Sequence, residues 1–355
     1  MNILITGTGS YIPEKIIRND HFKDNVFYTI NGEPITESSE KIAEKLKKIT
    51  GINERRYINE EQQMYEIAVI AAMRAILDAG IDPETLDGII LAHNFGTIAF
   101  GTTQTDLVPS ISSRVKHELK IKNPSCIAFD ILFGCPGWLQ GVILARQHIL
   151  TENAKRILVV GAETLSRVLD PHDRDSMIYA DGAAAVIIES TKKAEQRGIR
   201  SVLSQTYTHD EAYYLHLDSS NKKDYQPTTR YLKMQGKKIY EFAVKHVPQA
   251  MKQCLDKSGI EIEKVKKIFI HQANEKMDEA ILKSFYKLYD IPTPPEKIMP
   301  MNIHKLGNSS VATIPTLLDM VLKNLQPGHK LETGDVILMA SVGAGMNVNA
   351  LTYIM

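Results

Sequence analysis

Ala128-Phe129-Asp130-Ile131-Leu132-Phe133-Gly134-Cys135-Pro136-Gly137-Trp138-Leu139-Gln140-Gly141-Val142 decides how the rest of the chain reads. An apolar run ends in Gly134-Cys135, a proline follows at once, and an apolar segment then continues to Leu150. The first part predicts a buried strand. Proline favours the first turn of a helix, where its missing N–H would be unpaired anyway. Cys135 is therefore expected at the N-cap, between strand and helix. The following helix, with Trp138, Leu139, Val142, Ile143, Leu144, Ile149 and Leu150, is apolar nearly all round and should be buried. A thiol at the positive end of a helix dipole is expected to favour thiolate, which suits a nucleophile. The same position also suits a buried, inert cysteine.

Working outward, 355 residues suffice for a large core in one big domain or two ordinary ones. Lysine plus arginine number 42 and aspartate plus glutamate 42, so the net charge is zero. No global field argues for nucleic acid or an acidic membrane surface. Three cysteines, Cys126, Cys135 and Cys254, make no disulfide framework and suit a reducing cytoplasm. The opening Met1-Asn2-Ile3-Leu4-Ile5-Thr6-Gly7 lacks the pattern of a signal peptide. No apolar run approaches the ~18 residues of a membrane span. A soluble cytoplasmic protein is expected.

Asn2–Ile12 predicts a strand, and Gly7-x-Gly9 is too short for a dinucleotide fingerprint. Residues 14–45 form a polar insertion with a helix expected near Glu37–Lys48. A clear amphipathic helix spans Met64 to Ala79 and stops at Gly80. Asp87–His93 predicts a short buried strand, 94–106 a loop, and Ile111–Leu119 a helix. Further buried strands are expected at Arg156–Ala162 and after Asp181-Gly182. The second half then repeats part of the first. Tyr65-Glu66-Ile67-Ala68-Val69 is echoed by Tyr240-Glu241-Phe242-Ala243-Val244, Gly80-Ile81 by Gly259-Ile260, and the strand ending in His93 by the strand ending in His271. Val336–Ala340 takes the part of Ile157–Val160. Helix, loop, strand and histidine keep their order, which indicates a duplicated α/β half. Strands alternating with helices favour sheets covered on both faces. The expected division is an N-terminal half, 1–195, with the cysteine, and a C-terminal half, 196–355, with the histidine. Pro248 should kink or interrupt its helix.

Three motifs after the repeat bear on chemistry. His271-Gln272-Ala273-Asn274 ends a buried strand, where open α/β sheets place ligands; a structural histidine is the competing reading, as for His93. Asn308, in Leu306-Gly307-Asn308-Ser309-Ser310, enters an apolar helix and reads equally as a capping residue. Ser341-Val342-Gly343-Ala344-Gly345 offers backbone N–H groups close to a ligand. A thiol, a histidine, an amide and a small-residue loop are what acyl-thioester chemistry needs: attack by sulfur, N–H groups for the oxyanion, and donors for an enolate oxygen.

These stretches, with Gly7–Pro13, Thr50-Gly51-Ile52, Asp170-Pro171-His172-Asp173-Arg174 and Asp181-Gly182-Ala183, resemble the 3-oxoacyl-(acyl-carrier-protein) synthase III family of the thiolase-like superfamily over nearly the whole length. The resemblance implies a duplicated, five-layered αβαβα fold and a homodimer. It implies Cys135 as the acylated nucleophile, His271 and Asn308 as donors to the carbanion left by a decarboxylating malonyl thioester, and the Cys135 and Ala344 N–H groups as the oxyanion hole. Arg174 matches an arginine that contacts coenzyme A, and Asn274 belongs to the histidine motif. No metal and no permanently bound cofactor are implied. The substrates are thioesters of coenzyme A or of the phosphopantetheine of acyl carrier protein.

The sequence also departs from the family pattern. Lys45 and Ile49 stand where a tryptophan and an arginine usually hold the adenine of coenzyme A. Lys276 stands where an arginine usually faces the carrier protein, and Val108 where an aromatic residue usually reaches across the dimer to limit the acyl pocket. These departures motivate an alternative, a specialised ketosynthase joining two acyl chains into a resorcinol, a pyrone or a similar product. A non-decarboxylating thiolase would need a second cysteine near Ser341–Gly345, which is absent. A hydroxymethylglutaryl synthase relative would need a carboxylate base, for which Glu163 is the sequence candidate. A non-catalytic partner subunit and a cysteine hydrolase complete the alternatives.

Overall fold

The computed structural model describes residues 2–191 and 197–355, so the expected boundary at 195/196 lies outside the described residues. The first part runs β1 (Asn2–Tyr11), β2 (Lys15–Arg18), α1 (Ser39–Thr50), β3 (Glu54–Tyr57), α2 (Met64–Ala79), β4 (Gly88–Ala92), α3 (Ile111–Glu118), β5 (Ile127–Ile131), α4 (Gly137–Leu150), β6 (Arg156–Thr164) and β7 (Asp181–Thr191). The second runs β8 (Gly198–Thr206), β9 (Leu215–Asp218), β10 (Tyr231–Met234), α5 (Gly236–Ser258), β11 (Val265–Ile270), α6 (Glu275–Lys287), α7 (Ile303–Leu306), α8 (Thr313–Leu322), β12 (Val336–Gly343) and β13 (Asn347–Ile354).

Two sheets carry the architecture. One has the order β1-β7-β6-β4-β5, the other β11-β12-β13-β8. Read from β8, the second repeats the first four strands of the first in order and direction. β1 and β7, and β7 and β6, pair antiparallel while β6 and β4 pair parallel; β8 and β13, β13 and β12, and β12 and β11 do the same. β5 is the extra strand and forms an edge of its sheet.

The period-2 alternation of each strand sorts its side chains into layers. Ile157 and Val159 of β6 join Trp138, Leu139 and Val142 of α4 in the central cluster, where Ile337 and Met339 of β12 meet them from the other sheet. Leu158 and Val160 face the opposite way, into a cluster with Ile67, Ala71 and Ala75 of α2. Val336, Leu338 and Ala340 of β12 likewise turn to Ala243, Val247 and Met251 of α5. The result is five layers: outer helices, sheet, the central pair α4 and α8, sheet, outer helices. Burial of each large apolar side chain in these layers is worth about 1.5–3 kcal/mol. This explains why α4 is apolar nearly all round: sheets cover both of its faces.

α2 keeps its expected ends because both are capped. Gln63 and Glu66 form a capping box, and Gly80 closes the helix with φ +63°. α1 begins after Ser38, whose side chain accepts from the Lys41 N–H, slightly later than the sequence predicts. Pro248 does not interrupt α5, which spans 23 residues through it. Its ring is buried and the helix forgoes one hydrogen bond, a loss that packing against β8, β12 and β13 offsets. Among the described residues no helix is long and apolar enough to cross a membrane.

Candidate active site

β5 ends at Ile131, and the chain turns through Gly134 into α4. Gly134 has φ +65°, and a side chain there would run into the Ala344 backbone; a side chain on Gly343 would run into Cys135. The Gly343-Ala344 turn after β12 is therefore pressed against Gly134-Cys135, which brings the two small-residue loops of the sequence into contact. Pro136, not Cys135, occupies the N-cap of α4, so the thiol sits one residue before the expected position.

Cys135, His271 and Asn308 line one pocket of about 490 Å3. Its wall is largely apolar, with Ile178, Tyr179, Met234, Met277, Val342 and Met346 among the lining residues. Arg174 and Asn274 line it too. Lys45 and Ile49 of α1 also line it, and Lys45 Nζ is paired with Glu37 at 2.7 Å. Lys276 is exposed on α6, outside the pocket, and Val108 is 86% exposed on the surface loop before α3. Ala344 is not among the residues lining this pocket, although Gly343 is, and instead lines a second hollow with Leu132, Leu215 and Leu232.

The thiol is not the resting thiolate the helix end suggests. A helix terminus is worth about 0.3–1 kcal/mol, which moves a thiol by less than about one pH unit. Burial pushes Cys135 up to about 11, with a Ser310 hydrogen bond working against it and Glu163 reinforcing it. Desolvation by the pocket therefore outweighs the dipole.

His271 follows β11, and its backbone N–H donates to Ala340 O at 2.9 Å. Burial lowers it to about 4, so the imidazole is neutral at physiological pH. Its Nδ1 has no partner among the described residues. His93, its counterpart after β4, is a satisfied structural histidine: Nδ1 accepts from the Gly96 N–H at 3.0 Å and Nε2 lies 3.2 Å from Asp130. Asn308 combines both readings the sequence leaves open. Its Oδ1 accepts from the Ser310 N–H at 2.8 Å, a turn-capping bond. That leaves the Nδ2 amide as the donor it can offer to the pocket. Asn274 caps α6 by accepting from the Met277 N–H at 3.1 Å.

Sequence reasoning missed part of this site. Ser310 Oγ lies 3.4 Å from Cys135 Sγ; its Ser-Ser context gave no signal beyond a helix entry. Asp175 lines the pocket too, and burial next to Asp173 raises it to about 6. Glu163, the sequence candidate for a base, is buried behind Asn94 and is not among the pocket lining.

The chain matches the family model for 3-oxoacyl-[acyl-carrier-protein (ACP)] synthase III over residues 129–207 and the C-terminal model of the same family over 255–354. It is 31% identical to a β-ketoacyl-[acyl-carrier-protein] synthase III of Prochlorococcus marinus, over 99% of this chain and 96% of that one. A protein of the same name from Staphylococcus aureus is also 31% identical, over 99% and 98% of the two chains. Among solved structures, the 3-oxoacyl-[acyl-carrier-protein] synthase III of Aquifex aeolicus superposes with a TM-score of 0.81 at 29% identity, over 99% of this chain and all of that one.

Proposed function

The chain belongs to the 3-oxoacyl-[acyl-carrier-protein] synthase III family, and from that premise we propose that it condenses an acyl thioester with a malonyl thioester through an acyl-Cys135 intermediate. The observation that carries the reading is the convergence of Cys135, His271 and Asn308, from three distant segments, on one largely apolar pocket. The relatives' names favour this condensation in fatty-acid biosynthesis over a specialised ketosynthase joining two acyl chains.

Cys135 sulfur attacks the acyl thioester carbonyl, and the N–H groups of Cys135 and Ala344 hold the oxyanion. The carrier thiolate leaves and takes up the proton the cysteine gives away, so no net proton is consumed. A malonyl thioester then loses CO2. Its enolate oxygen accepts hydrogen bonds from neutral His271 and from Asn308 Nδ2. The enolate carbon attacks acyl-Cys135, and the sulfur leaves as the 3-oxoacyl thioester forms. A histidine neutral above about pH 4 suits this role, because donation rather than proton abstraction is required. An apolar wall that excludes water strengthens each of these donors.

Arg174 and Asn274 would contact the pantetheine-bearing substrate along the pocket, and exposed Lys276 would face the acyl carrier protein. Lys45, paired with Glu37, lines the pocket where the family pattern has a tryptophan for the adenine, which favours a carrier-protein thioester over coenzyme A. The edge strand β5, with Ile127 50% exposed on it and Leu132 64% exposed just after it, is the surface for a homodimer in which Val108 reaches the partner's acyl pocket. The halves 1–195 and 196–355 are the proposed duplicated units, and the cytoplasm the proposed compartment. A Cys135→Ser variant should form no 3-oxoacyl product from a panel of acyl donors with malonyl-carrier protein. Unchanged turnover in that variant would remove Cys135 from the mechanism.

A further inference from the structure

A row of polar side chains leads away from Cys135 into the core, and the mechanism above does not use it. Asn94 Nδ2 donates to Ser310 Oγ at 3.1 Å, and Ser310 Oγ lies 3.4 Å from Cys135 Sγ. Asn94 Nδ2 and the Asn94 backbone N–H also donate to the same oxygen of Glu163, Oε2, at 2.7 and 2.9 Å. The row therefore has a direction. Glu163 Oε2, accepting twice, fixes which side of the Asn94 amide faces it. That places an N–H, not a carbonyl, against Ser310. With its oxygen accepting from Asn94, the Ser310 hydroxyl keeps its hydrogen for the sulfur.

Two further observations single out Ser310. Its backbone has φ +52°, a left-handed conformation that a serine rarely adopts. Its N–H is held by Asn308 Oδ1, so the residue that offers an amide to the pocket also holds Ser310 in place. Ser310, Asn94 and Glu163 come from the entry to α8, the end of β4 and β6, so no local requirement accounts for the alignment.

We infer that Ser310 is a donor to the Cys135 thiolate, aimed by a positioning pair, Asn94 and Glu163. The inference deepens the condensation reading and rests on Cys135 as its nucleophile. Sulfur carries negative charge twice in that reaction: when it attacks the acyl donor and when it is expelled from the acyl intermediate. A hydroxyl donor fixed in place beforehand stabilises both states without reorganising. Other titratable groups face the row. Tyr179 lies near Cys135, and His93 and Asp181 near Glu163. Each is unchanged in the variants below.

The test is the rate of Cys135 alkylation by iodoacetamide as a function of pH, on the full chain, followed by intact-protein mass. Alkylation needs no acyl donor, so its outcome is separable from failure of acyl transfer itself. Ser310→Ala changes one oxygen and should slow alkylation at neutral pH about tenfold, moving the inflection up by about one pH unit. Asn94→Ala should slow it in the same sense. The double variant should be no slower than Ser310→Ala alone, because both act through one hydrogen bond. Thermal melting of each variant confirms the fold. Alkylation of Ser310→Ala at the wild-type rate would overturn the inference, as would a double variant slowed by the product of the two single effects.

Discussion

At Cys135 and His271 burial acts on two groups in one pocket with different consequences. It keeps the thiol protonated until a thioester arrives, and it keeps the imidazole neutral far below its usual range. If neutral His271 is the donor to the enolate, release of CO2 from a malonyl thioester should show no acid limb from this residue until the pH nears about 4. His271→Ala should lower that release about 10²- to 10³-fold, the usual cost of one such donor; trapping of labelled CO2 reads both. The same burial has a stability consequence. The unfolded imidazole takes up its proton below about 6.5 and the folded one only below about 4, so the folded state loses stability as pH falls across that window. A His271→Leu variant should be spared that loss, about 3 kcal/mol by pH 4, as measured by denaturant melts at pH 7 and pH 4. The fold brings Cys135, His271 and Asn308 to one pocket, and that all three stand at element ends was legible from their motifs. The protonation of the thiol was not, because the groups that desolvate it, such as Tyr179, Met234 and Val342, lie far away in sequence. Ser310 was hidden for a related reason: its partners, at 94, 135 and 163, meet only in the folded chain.

Between elements, the site depends on the contact of two turns. Gly134 and Gly259 both have left-handed backbones, φ +65° and φ +69°. Alanine at either costs about 1–2 kcal/mol in backbone strain. At Gly259, which closes α5, nothing lies within 4 Å of the added carbon. At Gly134 the added carbon would meet the Ala344 backbone. Gly259→Ala should therefore lower the melting temperature modestly and retain acyl transfer to Cys135. Gly134→Ala should abolish that transfer by pushing Ala344 N–H away from the thiol, even in the fraction that remains folded. Equal activity in the two variants would count against the proposed oxyanion hole. The periodicity of α2 and the glycine after it made that helix readable to both ends. Pro248 does not interrupt α5: the sequence gives the cost of a proline in a helix but not the packing of α5 that offsets it.

Across the whole molecule, the repeat in sequence reappears as two sheets with the same strand order, and α4 and α8 as the paired central helices. Cys135 precedes α4 and Asn308 precedes α8, so the pocket draws on the entry to each of the two central helices. What the repeat could not supply is β5, which among the described residues has no counterpart in the second sheet and leaves an open edge. If that edge is a dimer surface, Ile127→Lys should shift the protein to monomer in sedimentation velocity and lower turnover; an unchanged sedimentation coefficient would place the interface elsewhere. The central claim is covalent turnover at Cys135, and it is tested most directly by intact-protein mass after acyl-coenzyme A or acyl-carrier protein, then after malonyl-carrier protein. The account predicts an acyl adduct on Cys135 that malonyl-carrier protein discharges with release of a 3-oxoacyl thioester, and an adduct that persists in His271→Ala. No adduct from any donor, or an adduct that malonyl-carrier protein leaves in place on the wild-type chain, would contradict it.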